Sequence, residues 1–370
     1  IKDGGYQALI STNTIAQGGT RETSLGEIVD RGGKIAFAVK SMRWPGTANV
    51  EVTLLSICKN VRPPSFVLNG KKVSQINSYL SDELELSPHK LAANDEKSFI
   101  GSIVLGDGFI IEADKAEQIL REKPEYKSVL FPYLIGYDLN TNPDQRANRW
   151  IINFHAFPLE KAKQFGDLFK IVEQTVKPHR DKVKRDSYRK MWWQYAEKCL
   201  NLYKAIKSKE RVLVVAQVSK TLAFSFVPNN QVFSVQAVVI NFDKYSEFAV
   251  LQSTIHAEWA WKYCTTMKSD LRYGPSNVFQ TFPFPILINS AHLENIGRDY
   301  YEHRQRLMLL LRLGLTKVSN LFHSQHLTNI DIEKQSKQPR EICENALQDI
   351  LKLRELHVQM DQAVLEAYGW

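Results

Sequence analysis

Cysteine is scarce in this chain of 370 residues, and the four present, Cys58, Cys199, Cys264 and Cys343, stand far apart. With no CxxC pair, they behave as isolated thiols, small buried hydrophobes in a reducing cytoplasm. Long apolar runs are missing too. None approaches the roughly 20 residues needed to cross a bilayer, and no secretory signal opens the chain. The expectation is a cytoplasmic protein without a membrane partner. The chain starts at Ile1, in mid-element, which suggests a fragment of something longer.

Signatures of nucleophilic and phosphate chemistry are absent: there is no GxSxG, no P-loop and no Cys/His pattern. His323 and His326 stand three apart, but no carboxylate or thiol at suitable spacing joins them as metal ligands. Asp114 with Glu125-Tyr126-Lys127 loosely mimics the Asp…Glu-x-Lys pattern of metal-dependent nucleases. Pro124 interrupts the local structure, so these read as surface charges. No metal site and no catalytic residue is expected.

Net charge is absent from most of the chain as well. The excess of +8 is matched in full by one stretch, Lys177 to Arg211, where twelve cations face four acids. The cations are Lys177, Arg180, Lys182, Lys184, Arg185, Arg189, Lys190, Lys198, Lys204, Lys207, Lys209 and Arg211. Such concentration is the footprint of a surface that tracks phosphates, although a solvated helix face has the same composition. Trp192-Trp193 lies within it and argues against the solvated face, because two indoles are costly to leave in water.

Hydrophobic content of 44% and charged content of 24% are those of an ordinary globular protein, long enough for two or three domains. The pattern reads as α/β, more fully as mixed α+β. Tyr6 to Ser11 is a strand, and Leu25 to Val29 is helical up to Gly32-Gly33. Lys34 to Lys40 and Val50 to Lys59 form a hairpin around Trp44-Pro45-Gly46, the trailing part of an α/β unit. Arg62-Pro63-Pro64 marks a boundary. Beyond it, Ser98 to Ile111 predicts a hairpin turning on Gly106-Asp107-Gly108. Ala113 to Glu122 is helical, and Val129 to Leu134 and Trp150 to Phe154 are strands. Leu159 to Val176 is predicted as one helix.

Strand-like runs follow at Arg211 to Val218, Leu222 to Val227 and Val232 to Ile240. Phe248, Leu251, Ile255, Trp259 and Tyr263 then share one helical face, read as core. After Thr281-Phe282-Pro283-Phe284-Pro285 the chain is helical, with stripes from Leu293 to Leu311 and from Ile342 to Ala367. Glu333 to Gln338 is expected to be a mobile link. Gly18-Gly19 could open an anion-holding loop, with a plain turn the simpler reading. Trp44 either packs over the sheet edge or stacks on a planar ligand.

Taken together, these segments resemble the C-terminal half of a large N6-adenine DNA methyltransferase of the type IIG, MmeI-like restriction–modification group. The carrying residues are Ile10-Ser11-Thr12-Asn13-Thr14-Ile15-Ala16-Gln17-Gly18, Ile35-Ala36-Phe37-Ala38 and Trp44-Pro45-Gly46. Pro132-Tyr133-Leu134-Ile135-Gly136, Arg149 to Phe154, Val176 to Arg180 and Trp192-Trp193 follow. Arg272-Tyr273-Gly274-Pro275-Ser276, Thr281 to Pro285 and the C-terminal Leu356-His357 to Trp370 complete the set, in a consistent order along nearly the whole chain.

The resemblance implies three parts. Residues 1–62 would be the C-terminal part of a Rossmann-like methyltransferase domain, 63–285 a DNA target-recognition domain and 286–370 a helical module. Trp44 would help hold a flipped adenine. Lys177, Arg180, Lys184, Arg185, Arg189 and Lys190 would contact DNA phosphates, with Arg272, Asn142 and Gln145 as base readers. The family's Gly-rich methyl-donor turn and Asn-Pro-Pro-Tyr motif are not in this chain. S-adenosylmethionine is therefore expected in the intact enzyme and no cofactor here, and the chain alone should be inactive. Its partners would be double-stranded DNA and either a catalytic N-terminal half or a separate catalytic subunit. The alternative is a stand-alone DNA specificity subunit without catalysis.

Overall fold

The computed structural model describes residues 1–267 and 270–370. The chain divides into two compact units. The first comprises Ile1–Leu91 with Trp259–Phe282, the second Ala92–Glu258 with Pro283–Trp370.

The first unit is built on a five-stranded sheet of order β1-β3-β2-β4-β5. Its strands are β1 (Tyr6–Thr12), β2 (Lys34–Arg43), β3 (Glu51–Cys58), β4 (Phe66–Leu68) and β5 (Lys71–Val73). β3 pairs antiparallel with both β1 and β2, so the expected hairpin is present. Strand β4 then pairs parallel with β2, Phe37 opposite Val67. Arg62-Pro63-Pro64 is therefore a break within this unit and not its end.

Asn69 and Gly70, both with positive φ, close the β4–β5 hairpin; Asn-Gly is the pair that a tight two-residue turn favours. Residues 18–30 are helical throughout, with one wider turn at Glu22–Gly26. Leu25 packs with Ile35, Ala38, Leu55, Ile57 and Leu80 into the core of this unit.

A later hairpin, Thr265–Met267 with Asp270–Arg272, also belongs to the first unit. The Gln17 side chain bonds to it twice, accepting from the Thr266 N–H at 2.8 Å and donating to Thr266 Oγ1 at 3.0 Å. Gly18 has φ +50°, and a Cβ there would stand 2.9 Å from Thr265 Cγ2. Close packing and a left-handed backbone thus account for this glycine without an anion.

The second unit carries two four-stranded sheets. One, ordered β12-β10-β14-β6, is antiparallel throughout; the other, ordered β13-β8-β9-β7, is mixed, because β13 joins β8 in parallel. In chain order the strands are β6 (Ser98–Ile100), β7 (Ile110–Glu112), β8 (Leu130–Leu134), β9 (Arg149–Ile152), β10 (Arg211–Ala216), the short β11 (Val218–Ser219), β12 (Ser225–Pro228), β13 (Val232–Phe233) and β14 (Ala237–Ile240). The mixed α+β class is thus observed.

Several local expectations are corrected. Ser98 to Ile111 is not a hairpin: β6 and β7 lie in different sheets, and Asp107–Phe109 is a 3-10 turn between them. Likewise Val232 to Ile240 splits into β13 and β14, which serve different sheets across a turn where the Ala237 N–H meets the Ser234 carbonyl at 2.9 Å. The helix predicted over 159–176 is two helices, Leu159–Lys163 and Gly166–Thr175, interrupted at Phe165. The apolar stripe beginning at Phe248 is also interrupted, by extended backbone at Ser253. Most of Glu333 to Gln338 ends the helix Asn329–Ser336, whose start is capped by Thr328 and Asp331.

The two long C-terminal helices, Ala291–Leu311 and Arg340–Tyr368, run antiparallel, since His292 meets Glu366 while His303 meets Asp349. Gly297 lets the first of them approach the helix Tyr245–Gln252, because a Cβ at Gly297 would overlap the Tyr245 carbonyl.

Candidate nucleic-acid interface

The basic stretch divides into cations that build the fold and cations that face water. Arg180, in the short helix Lys177–Arg180, is only 1% exposed. It donates to the Leu105 carbonyl at 2.9 Å, the Val104 carbonyl at 2.8 Å and the Gln194 carbonyl at 3.1 Å. Burial pulls its pKa down. A guanidinium spent on main-chain carbonyls cannot bind phosphate, so Arg180 leaves the predicted set. Arg211 is engaged as well, donating to the Asp243 carbonyl while its guanidinium lies 4.0 Å from the Phe226 ring centroid. Lys209 pairs with Asp243 at 2.9 Å.

Trp192 and Trp193 are buried in the core cluster with Phe109, Ile152 and Phe169. Trp193 Nε1 donates to the Phe157 carbonyl at 2.9 Å, and Tyr195 Oη to that of Ile152 at 2.8 Å. These rings anchor the segment to its own unit, and the bonds satisfy the polar tips of Trp193 and Tyr195. Lys177 Nζ sits 5.5 Å from the Trp192 ring centroid.

The exposed remainder is partly neutralised. Arg185 meets Glu197 at 3.3 Å, and Arg189 and Lys190 share Asp186. Lys182, Lys184, Lys204 and Lys207 are exposed without an ion-pair partner among the described residues. Exposed pairs exchange readily for phosphate contacts, because each is worth little in water. The available basic surface is therefore smaller than twelve cations suggested.

The predicted base readers fare differently. Asn142 Nδ2 donates to the Arg146 carbonyl at 2.6 Å and to Asn148 Oδ1 at 3.0 Å, closing its own loop. Gln145 is 3% exposed; its Nε2 donates to the Pro143 carbonyl at 2.8 Å and its Oε1 accepts from Ser225 Oγ at 3.1 Å. Both amides are occupied, so Asn142 and Gln145 are not base readers in this fold, contrary to expectation. Arg272 is exposed on its hairpin strand, opposite Thr265.

Trp44 follows β2 directly, and its N–H reaches the Val50 carbonyl at 2.9 Å. Its indole lies over Gly46, where a Cβ would collide with the ring, and 37% of the residue remains exposed. The ring is thus packed on its own loop and still presents surface.

Sequence reasoning missed one cleft in the second unit, lined by Tyr137, Asn140, Gln217 and Gln236 among others. Its residues come from four separate stretches, so no local pattern announces them. Among the described residues no cluster of His, Cys, Asp and Glu is arranged to hold a metal.

The second unit thus combines two sheets, a partly basic surface and the long C-terminal helical pair. Residues 90–286, just over half of the chain, match the family described as MmeI, target recognition domain, and the chain belongs to that family. The same fold occurs in the type IIL restriction–modification enzyme MmeI, solved in complex with DNA. The TM-score is 0.68 at 18% identity, over 98% of this chain and 47% of that one. DNA methyltransferase A of Bacillus subtilis (strain 168) is 23% identical over 300 residues, 76% of this chain and 33% of its own length. The chain thus spans about a third of that relative and about half of the solved enzyme. The resemblance read from the residues is borne out, and residues 90–286 are a target recognition domain of the MmeI type.

Proposed function

We propose that this chain is the DNA-reading portion of a type IIG, adenine-specific restriction–modification methyltransferase acting in the cytoplasm. The observation that carries the reading is the match of residues 90–286 to the MmeI target recognition domain. The fold shared with an enzyme solved on DNA and the similarity to a DNA methyltransferase support it. The intact enzyme would extrude an adenine from the duplex and methylate its exocyclic amine from S-adenosylmethionine. In this chain, exposed lysines such as Lys184 would hold phosphates, Arg272 would be available to a guanine edge, and Trp44 would offer its free surface to the extruded base. The donor site and the Asn-Pro-Pro-Tyr motif would come from a catalytic half or a partner subunit.

Fluorescence anisotropy with labelled duplexes tests this reading. The 370-residue chain should bind duplex DNA with an affinity that falls steeply as salt rises. Failure to bind any duplex at low salt would sink it. Calorimetry with S-adenosylmethionine should give no heat of binding; stoichiometric micromolar binding would overturn the assignment of the donor site elsewhere.

A further inference from the structure

Asn142 and Gln145 have no amide free for a base, so the recognition proposed above needs other readers. The cleft in the second unit, about 300 Å³, supplies them. Gln217 follows β10 and Gln236 precedes β14, one step beyond the antiparallel pair Ala216↔Ala237. The Gln217 N–H donates to the Gln236 carbonyl at 2.7 Å, which continues the ladder and sets the two side chains beside each other.

Asn140 reaches the same cleft from the helix Gly136–Thr141. Both ends of that helix are fixed. A Cβ on Gly136 would stand 3.1 Å from the Gln236 carbonyl oxygen, and Gly314 packs so tightly on Asn140 and Thr141 that a Cβ there would overlap their main chain. The amides are therefore mounted on rigid elements, as a recognition site requires.

The side-chain amides of Asn140, Gln217 and Gln236 have no hydrogen-bond partner among the described residues, and neither has the hydroxyl of the exposed Tyr137. Three free primary amides in one cleft contrast with Asn142 and Gln145 nearby in sequence, whose amides are fully used. A primary amide presents one donor and one acceptor side by side, which matches N7 and N6 of adenine in the major groove. The cleft lining contains no Arg or Lys to prefer guanine and no Asp or Glu to prefer cytosine. Lys317, next to Thr316 of the lining, and Lys220, two residues after Val218, are exposed and suited to the flanking phosphates.

We propose that Asn140, Gln217 and Gln236 are specificity-determining residues that read the major-groove edge of adenine in the target site. The proposal rests on the DNA-recognition reading, and the following experiment separates the two. The 370-residue chain is used to select duplexes from a randomised pool, and the selection is repeated with Gln217→Ala, Gln236→Ala and Gln236→Arg.

The wild-type chain should enrich a site with at least one adenine that Gln217→Ala or Gln236→Ala relaxes by roughly 5- to 100-fold in discrimination. Gln236→Arg should turn one adenine preference into guanine. Affinity for unrelated duplex and its salt dependence should stay unchanged in the two Ala variants, while the added charge of Gln236→Arg should raise that affinity and steepen its salt dependence. Enrichment of the same site, equally strongly, by every variant would overturn the proposal and leave the DNA-recognition reading standing. Enrichment of no site by the wild-type chain would sink that reading and this one with it. Should Gln217→Ala lower the melting temperature, the selection with the exposed Gln236 replaced decides alone.

Discussion

Arg180 Nη2 donates to the main-chain carbonyl of Val104 at 2.8 Å, joining the start of the basic stretch to a segment 76 positions earlier. Among the described residues no carboxylate pairs with this guanidinium; its partners are carbonyls of residues 104, 105, 188 and 194. Arg180→Ala would strand those carbonyls in the interior and should destabilise the second unit by roughly 3 kcal/mol. Urea denaturation reads this as a lower midpoint. A variant of unchanged stability that instead binds DNA more weakly would return Arg180 to the phosphate-binding set.

Cations that remain in water should act on DNA and not on stability. Replacing Lys182, Lys184 and Lys190 together by Ala should shrink the log–log salt slope of duplex binding by about one unit for each phosphate left without its lysine. Lys209→Ala, which removes a residue already paired with Asp243, should leave the slope unaltered. An unchanged slope in the folded triple variant would make this surface a solvated face.

Trp44 is half committed to its own loop, so its two roles can be told apart. In an enzyme restored to full length, Trp44→Ala should slow methylation at least tenfold, the loss of about 1.4 kcal/mol of stacking, while duplex affinity holds. If the variant instead loses the β2–β3 hairpin, seen as a drop in melting temperature, the indole is there for packing.

His256 gives the second unit a specific acid sensitivity. It is fully buried, and desolvation drives its pKa down to about 3, against the upward pull of its bond to the Leu251 carbonyl. The folded state keeps the ring neutral while the unfolded chain protonates near pH 6.5. Stability from this group is thus complete above about pH 6.5 and is lost as pH falls towards 3, by about 2 kcal/mol at pH 5. Replacement by Gln should flatten the decline in melting temperature between pH 7 and pH 5. An equally steep decline would assign the sensitivity to other groups.

Much of the architecture is written locally. The β-rich runs Lys34 to Lys40 and Val50 to Lys59 on either side of Pro45-Gly46 announce a hairpin, and the stripes ending at Leu311 and Ala367 announce two long helices, because such signals depend only on near neighbours. Asn69-Gly70 carries a turn signal of the same local kind. Gly106-Asp107-Gly108 has comparable turn chemistry, yet β6 and β7 part to different sheets there. Local propensity permits a turn, but it does not choose the partners of the strands on either side.

By itself the sequence determined the concentration of charge, the periods of the elements and the order of motifs that marks the MmeI kinship. Only the tertiary structure decided which polar groups remain free to bind. Arg180 and Lys184 are both cations of one basic run, yet one is sealed among carbonyls and the other stands in water. Asn142 is consumed by its loop, whereas Asn140, two residues earlier, opens into the cleft beside Gln217 and Gln236. The reason is that a polar side chain is satisfied by whatever the fold brings to it: Arg180 by carbonyls 75 and 76 positions away, Asn142 by a loop that the fold closes on itself.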